Sequence, residues 1–224
     1  MSYLVLFDLL EDLRRPGCPV CRAAERTGRE YARTLMMTDI TDARVRESIT
    51  RAGGLCRDHL FLSVDVAAAE VDTMGLALLE ELLLDIAHRL LVERSRRGRR
   101  HRVGIGPGGT RCTACEAEKV IVDAYCDLLI SDPEVYLGPM AARDDGGLCF
   151  PHARWLLDRP GGPACSGLVV AAWARRAARL RQGAEATIAA HRADARELPS
   201  SEQVCSLRSE VPAWLVGARR QGPT

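Results

Sequence analysis

The chain has 224 residues, of which 47% are hydrophobic, 27% charged and 4% aromatic, and its formal net charge is +1. A net charge this close to zero gives no general attraction to nucleic acid or to an anionic membrane. Leu, Ala, Arg and Glu dominate, and no run of β-branched residues alternates strictly with polar ones, so we expect an all-α protein. No signal peptide is recognisable, and the apolar stretch 76–92 is interrupted by acidic residues, so a cytoplasmic protein that does not span a membrane is predicted.

The first part of the chain, residues 1–97, predicts four helices. Residues 2–14 place Leu6, Leu10 and Leu13 on one face and end at Pro16-Gly17. A second helix runs from Cys18 to about Met37, and a third, capped by Asp39 or Thr41, ends at Gly53-Gly54. The longest, roughly residues 65–97, carries an apolar stripe: Leu76, Leu79, Leu83, Ile86 and Leu90.

Residues 98–111 predict a linker, because the basic run from Arg94 to Arg102 gives way to a segment rich in Gly and Pro. The basic run is the one hint of nucleic-acid binding, and a solvated linker is the preferred interpretation since no aromatic residue is interleaved with it. Residues 112–198 predict a second helical part that repeats the first, with its own long helix at about 166–197, and residues 199–224 a C-terminal tail.

One motif pair is written twice in the sequence. Cys18-Pro-Val-Cys21 is followed by Gly53-Gly54-Leu55-Cys56-Arg57-Asp58-His59, and Cys112-Thr-Ala-Cys115 by Gly146-Gly147-Leu148-Cys149-Phe150-Pro151-His152. The copies are offset by 94 residues at the first cysteines (112 − 18) and by 93 at the last (149 − 56). We interpret the chain as an internal duplication that forms two pseudo-symmetric helical halves.

Each copy supplies three cysteines and one histidine in a fixed order, which is a standard structural zinc set. Taking the pairs in sequence order, we assign one metal site to the first copy and one to the second. The predicted ligand sets are Cys18, Cys21, Cys56 and His59 for the first site, and Cys112, Cys115, Cys149 and His152 for the second. Two zinc ions per chain are therefore expected.

An iron–sulfur cluster is the main alternative cofactor, since thiolates suit both zinc and iron–sulfur clusters. Dithiol redox chemistry at Cys18 and Cys21 is less well supported, because the sequence has no βαβ pattern around them. A catalytic zinc would need an open coordination position, whereas four protein ligands close each site. No glutamate within either motif offers a general base, so a non-enzymatic role is favoured. A pathway enzyme that uses a pocket between the halves is a third possibility, for which neither a substrate nor a catalytic residue can be named.

The motif order C-P-x-C, G-L-C-x-x-H, C-x-x-C, G-L-C-x-x-H and a Trp-containing tail resembles a bacterial family of uncharacterised proteins of about this length. Cys112-Thr-Ala-Cys115 departs from the pattern because it lacks a proline after its first cysteine. The resemblance implies the fold and the metal sites but no activity. The expected function is a metal-binding interaction or regulatory module with an unknown protein partner. The alternative is an iron–sulfur protein in redox transfer or sensing, or an accessory to a biosynthetic oxidoreductase.

Overall fold

The computed structural model describes residues 3–70, 72–97 and 111–192, together with residues 212, 213, 215 and 217. Every regular element within these ranges is a helix. The β-type pairing found there is an isolated bridge between Gly17 and Gly146, which belongs to no strand. The expectation of an all-α fold is confirmed. The predicted linker lies outside the described residues except for Arg111, and so does the predicted tail except for the four residues named above.

Contacts divide the chain into two compact units, each built from two separate stretches of sequence. Unit 1 is Met1–Ala23 and Val122–Arg219, and unit 2 is Ala24–Ile121 and Arg220–Thr224. Among the described residues, the chain passes between units inside two helices, Pro19–Met37 and Thr113–Ser131. This division differs from the expected consecutive halves at 1–97 and 112–198, because each unit takes residues from both. The helices begin and end as follows: α1 Tyr3–Arg14, α2 Pro19–Met37, α3 Ala43–Arg51, α4 Arg57–Glu70, α5 Thr73–Arg97, α6 Thr113–Ser131, α7 Pro133–Ala141, α8 Phe150–Leu157 and α9 Ser166–Arg192.

In unit 1, α9 packs against α7, and α7 also contacts α1. A 3₁₀ turn, Gly162–Cys165, contacts α8 and leads into α9. Asp132 begins α7 by accepting a hydrogen bond from the Val135 amide at 3.3 Å, and the proline that follows Asp132 is suited to the first helical position. The start of α7 is therefore set by local sequence.

The buried face of α1 is rotated from the face that carries Leu6, Leu10 and Leu13. Leu9 is fully buried and Asp12 is 1% exposed, Leu6 and Leu13 are half-buried, and Leu10 is 39% exposed. The reason is a polar contact that helix periodicity does not reveal: the Asp12 carboxylate accepts a hydrogen bond from the Tyr125 hydroxyl at 2.9 Å. A buried carboxylate must keep its partners, and this requirement turns the Asp12 side of the helix inward.

The core of unit 2 is built around α5. Its predicted apolar stripe is confirmed: Leu79 and Ile86 are buried, and Leu76, Leu83 and Leu90 pack against the same cluster. The opposing buried residues come from α2, from the 3₁₀ turn Asp39–Thr41 and from α3, and they are Leu35, Met36, Ile40 and Ile49. Burying these side chains is the main favourable contribution to the folding of the unit.

The expected single helix over residues 65–97 is wrong, because the chain forms α4 and α5 with a break around Asp72. The Asp72 amide closes the end of α4 on the Ala67 carbonyl at 3.0 Å, while its carboxylate accepts from the Gly75 amide at 2.9 Å. An aspartate in this position caps a new helix rather than continuing the old one.

The end of α3 shows how the Gly-Gly pair of the motif works. The Gly54 amide donates to the Ile49 carbonyl at 2.9 Å and the Gly53 amide to the Thr50 carbonyl at 3.0 Å. This is the Schellman arrangement, and it requires the positive φ of 73° that Gly53 adopts. The helix start is set by Asp42, which accepts from the Arg44 amide at 2.7 Å, rather than by the predicted Asp39 or Thr41.

Candidate metal centres

The unit 1 site gathers Cys18, Cys21, Cys149 and His152. Cys18 directly precedes α2 and Cys21 lies in its first turn, while Cys149 is the N-cap of α8 and His152 lies in the first turn of that helix. The His152 Nδ1 atom lies 3.1 Å from the Cys149 Sγ, 3.3 Å from the Cys21 Sγ and 3.6 Å from the Cys18 Sγ. The Sγ atoms of Cys21 and Cys149 are 3.5 Å apart.

The unit 2 site gathers Cys56, His59, Cys112 and Cys115. Cys56 precedes α4 and Cys112 precedes α6, and the other two ligands lie in the first turns of these helices. The His59 Nδ1 atom lies 3.1 Å from the Cys56 Sγ, 3.3 Å from the Cys115 Sγ and 3.7 Å from the Cys112 Sγ. The Sγ atoms of Cys56 and Cys115 are 3.7 Å apart.

The structure brings all eight predicted ligands into two groups, but it corrects their pairing. Each Cys-x-x-Cys pair meets the Cys-x-x-His pair of the other copy, so the sequence-order sets, Cys18 and Cys21 with Cys56 and His59, and Cys112 and Cys115 with Cys149 and His152, are wrong. Spacing fixes the geometry within a pair, since residues three apart share a helix face. It does not fix which pairs meet, because that depends on contacts distant in sequence.

In unit 1 a short backbone bridge brings the Cys18–Cys21 pair to the Cys149–His152 pair. Gly17, next to Cys18, pairs in parallel with Gly146, and the Gly17 amide donates to the Asp145 carbonyl at 2.8 Å. A Cβ atom on Gly146 would lie 2.5 Å from the Met140 carbonyl oxygen, so only glycine fits there. The bridge therefore joins the residue before one ligand pair to the Gly-Gly-Leu segment before the other.

Arg22 holds the Cys18–Cys21 turn against the end of α1. Its guanidinium donates to the backbone carbonyls of Asp12 and Pro16, and its Nε lies 3.3 Å from the Asp12 carboxylate. The same carboxylate accepts from Tyr125, which is fully buried. The charged donor and the hydroxyl together satisfy a carboxylate that burial would otherwise penalise.

In unit 2 the Cys112–Cys115 turn is held by Tyr31, whose hydroxyl donates to the Thr113 Oγ1 at 2.6 Å. His59 is 2% exposed, and its Nε2 lies 3.1 Å from the Glu118 carboxylate. Ser63 donates to the His59 carbonyl at 2.8 Å. Each ligand pair of unit 2 is therefore held by a polar contact in addition to its own helix.

The thiols of the unit 1 site influence one another strongly. Burial raises the pKa of Cys18, but hydrogen bonds with Cys149, Cys21 and His152 outweigh burial and hold that pKa well below its ordinary value. Hydrogen bonds to Cys18 and Cys21, followed by burial, raise the pKa of Cys149 strongly. Burial lowers the pKa of His152, yet Cys18 and Cys21 raise it to about 10. The site thus favours the thiolate form of Cys18 and disfavours that of Cys149. A bound cation would stabilise both thiolates through its positive charge.

The unit 2 site shows the same opposition. Burial raises the pKa of Cys112, but hydrogen bonds from His59 and from the backbone bring it down to about 6. Burial and the neighbouring charges of Cys112 and Cys56 raise the pKa of Cys115 strongly. Both groups therefore combine a favoured thiolate with a thiol that resists ionisation beside it.

The donor atoms of each group fit around one metal ion. They all lie within 4.8 Å of one another. A tetrahedral zinc ion, with bonds of about 2.3 Å to sulfur and about 2.0–2.1 Å to nitrogen, would separate two sulfurs by about 3.8 Å and a sulfur from a nitrogen by about 3.5 Å. The observed separations of 3.1–3.7 Å are close to these values. Four protein ligands would complete the coordination of the ion.

Sequence reasoning missed the polar residues that support the sites, among them Asp12, Arg22 and Glu118. A signal for Glu118 was present, because it lies three residues after Cys115 and therefore on the same face of α6. No comparable signal marked the contact between Asp12 and Tyr125. Cys126 and Cys165 belong to neither group and are fully buried, and burial raises the pKa of both thiols, that of Cys126 to about 12.

A cavity of about 910 Å³ opens in unit 2 beside the Cys112–Cys115 turn. Thr113, which follows Cys112, lines it together with Tyr31 of α2 and Val45 of α3. None of the eight metal-site residues lines the cavity. It is thus adjacent to the unit 2 site without opening into its ligands.

Fold and site together define an all-α protein with two Cys₃His groups that could hold metal ions. Comparison of the chain with protein-family models, curated proteins and solved structures found no match. Among the described residues, no helix is long and apolar enough to cross a membrane.

Proposed function

We propose that the protein binds two zinc ions structurally and acts as an interaction or regulatory module rather than as an enzyme. The observation that carries this proposal is the convergence of three thiols and one imidazole within 4.8 Å in each group. Four protein ligands leave no open position for substrate or water, which is typical of structural zinc. The described cysteines are all free, and a reducing compartment such as the cytoplasm would keep them available for metal.

The compactness of each group favours a single ion over an iron–sulfur cluster. In a cluster with several irons, thiolates bind different irons, and their sulfurs stand farther apart than those around one ion. The Sγ separations of 3.5 Å in unit 1 and 3.7 Å in unit 2 suit a shared ion. The alternative function is redox transfer or sensing by an iron–sulfur cluster, and finding iron in the purified protein would favour it.

We also infer that the two sites descend from one duplicated unit whose motif pairs exchanged partners. The four corresponding distances agree between the sites: 3.1 and 3.1 Å, 3.3 and 3.3 Å, 3.6 and 3.7 Å from histidine to each thiol, and 3.5 and 3.7 Å between thiols. Membership of the bacterial family that the motif order resembles is likewise a proposal, supported by the cysteine and histidine motifs.

The test is elemental analysis with a visible absorption spectrum on protein purified without air. We expect about two zinc ions per chain and no colour. Iron with sulfide and broad visible absorption would overturn the zinc proposal and support the redox alternative. A Cys165→Ala variant is the matched control, since this buried cysteine belongs to neither group, and it should keep the full metal content.

A further inference from the structure

We propose that Glu118 is a positioning residue for His59 and that it makes the unit 2 site the tighter of the two metal sites. The inference rests on the proposed zinc binding and adds an order to it. The unit 2 site fills first, and the unit 1 site is the first to exchange its ion.

Glu118 contacts the His59 imidazole at the ring nitrogen that faces away from the three thiols. The His59 Nδ1 atom faces three thiols at 3.1–3.7 Å, while the Nε2 atom lies 3.1 Å from the Glu118 Oε1. A carboxylate this close to Nε2 favours a proton on that nitrogen, which would leave the Nδ1 lone pair free to bind a metal ion. The side chains of His59 and Glu118 are only 2% and 14% exposed, so water competes weakly for the contact.

The helix that carries the carboxylate also carries a ligand. Glu118 follows Cys115 by three residues on α6 and lies on the same face. The Ser63 hydroxyl donates to the backbone carbonyl of His59, a bond within α4 that leaves the ring to the thiols and Glu118. Glu118 therefore connects the two ligand-bearing helices of the site through the ring of a ligand.

The unit 1 site has a different residue at the corresponding sequence position. Three residues after Cys21 the chain carries Ala24, whose methyl group accepts no hydrogen bond. His152 is also more exposed than His59, which is buried. Carboxylates that orient metal-bound histidines typically contribute about 10–100-fold in metal affinity, so we expect a difference of that order between the sites.

The experiment is a competition titration of the metal-free protein with Zn²⁺ against a chromophoric chelator, under reducing conditions. The wild-type chain should bind two ions in separate steps. A Cys18→Ala/Cys149→Ala background removes half of the unit 1 ligands, so the remaining tight step reports the unit 2 site. In this background Glu118→Ala should weaken zinc binding about 10–100-fold. Glu118→Gln, which keeps an acceptor oxygen, should fall between Glu118→Ala and the parent.

Glu116→Ala is the matched control, because Glu116 lies on the same helix but is exposed and faces Arg111 at 3.8 Å. It should bind zinc as tightly as the parent. Nitrogen chemical shifts of His59 give a readout independent of stability: the parent should show a protonated Nε2 and a metal-bound Nδ1, and Glu118→Ala should weaken the Nε2 signature. Equal affinities of Glu118→Ala and Glu116→Ala would overturn the inference and leave zinc binding intact. A wild-type chain that takes up no zinc would instead overturn the proposed function.

Discussion

Single buried hydrogen bonds hold the turns that carry the ligands, and Tyr125 provides the best test. Its hydroxyl donates to the Asp12 carboxylate at 2.9 Å, and both groups are almost completely buried. Tyr125→Phe should lower the free energy of unfolding by about 1–3 kcal/mol, because it leaves a buried carboxylate with one donor fewer. Urea denaturation of the metal-loaded protein measures the change. Tyr136→Phe, at a half-buried position on α7, should cost less, and equal losses would contradict the assignment.

Gly146 gives a second prediction at the scale of the residue. Gly146→Ala places a methyl group 2.5 Å from the Met140 carbonyl oxygen, so the bridge between Gly17 and Gly146 must shift. We expect a loss of roughly 1–3 kcal/mol in stability and weaker metal retention at the unit 1 site. Thermal unfolding and zinc content are the measurements. Gly167→Ala on α9 is the control, because a Cβ there meets nothing within 4 Å. If both variants behaved alike, the close approach would be of no consequence.

The residues of the two candidate metal sites could be predicted from sequence because the chemistry of each pair is confined to four consecutive residues. A Cys-x-x-Cys or Cys-x-x-His pair at a helix start presents both donors on one side by backbone geometry alone. Buried polar partners such as Asp12 carry no such signature. In sequence Asp12 resembles any exposed acidic residue of an amphipathic helix, and only its distant partner Tyr125 makes it a core residue.

Among the helices, an end could be predicted correctly where the local residues have a strong preference for ending a helix. Gly53-Gly54 ended α3 as predicted, through a Schellman motif. The prediction failed around Asp72, because apolar periodicity continues across a capped break, and the start of α3 moved from Asp39 or Thr41 to Asp42. An aspartate or threonine can cap a helix or lie inside one. The sequence alone therefore does not decide which of several such residues begins the helix, and packing does.

The exchanged pairing of motifs leads to a prediction from paired substitutions. Cys18→Ala/Cys149→Ala removes two ligands from one site and should leave about one chelator-resistant zinc per chain. Cys18→Ala/Cys56→Ala removes one ligand from each site and should leave none. Elemental analysis after dialysis against a chelator distinguishes the two variants. Sequence-order pairing would give the opposite result, and observing that result would refute the exchanged arrangement.

At the scale of the whole molecule, metal and fold should be coupled. Each group ties two helix starts together, so the free energy of metal binding contributes to the free energy of folding. Stripping the protein with a strong chelator under reducing conditions should lower its Tm and its helix content, and added zinc should restore both. Circular dichroism with parallel elemental analysis provides the measurement. An unchanged Tm in protein shown to be metal-free would contradict the coupling.

Because of the exchanged pairing, the two ligand sets are completed at different times while the chain is being synthesised. The unit 2 ligands are complete once Cys115 has been made, whereas Cys18 and His152 are separated by 134 residues. At about 5–20 residues per second, the ribosome needs roughly 7–27 s to cover that distance. Throughout that interval the nascent chain presents Cys18 and Cys21 with half of their ligand set still unmade. The first cysteines to leave the ribosome are thus the last to obtain a complete metal site.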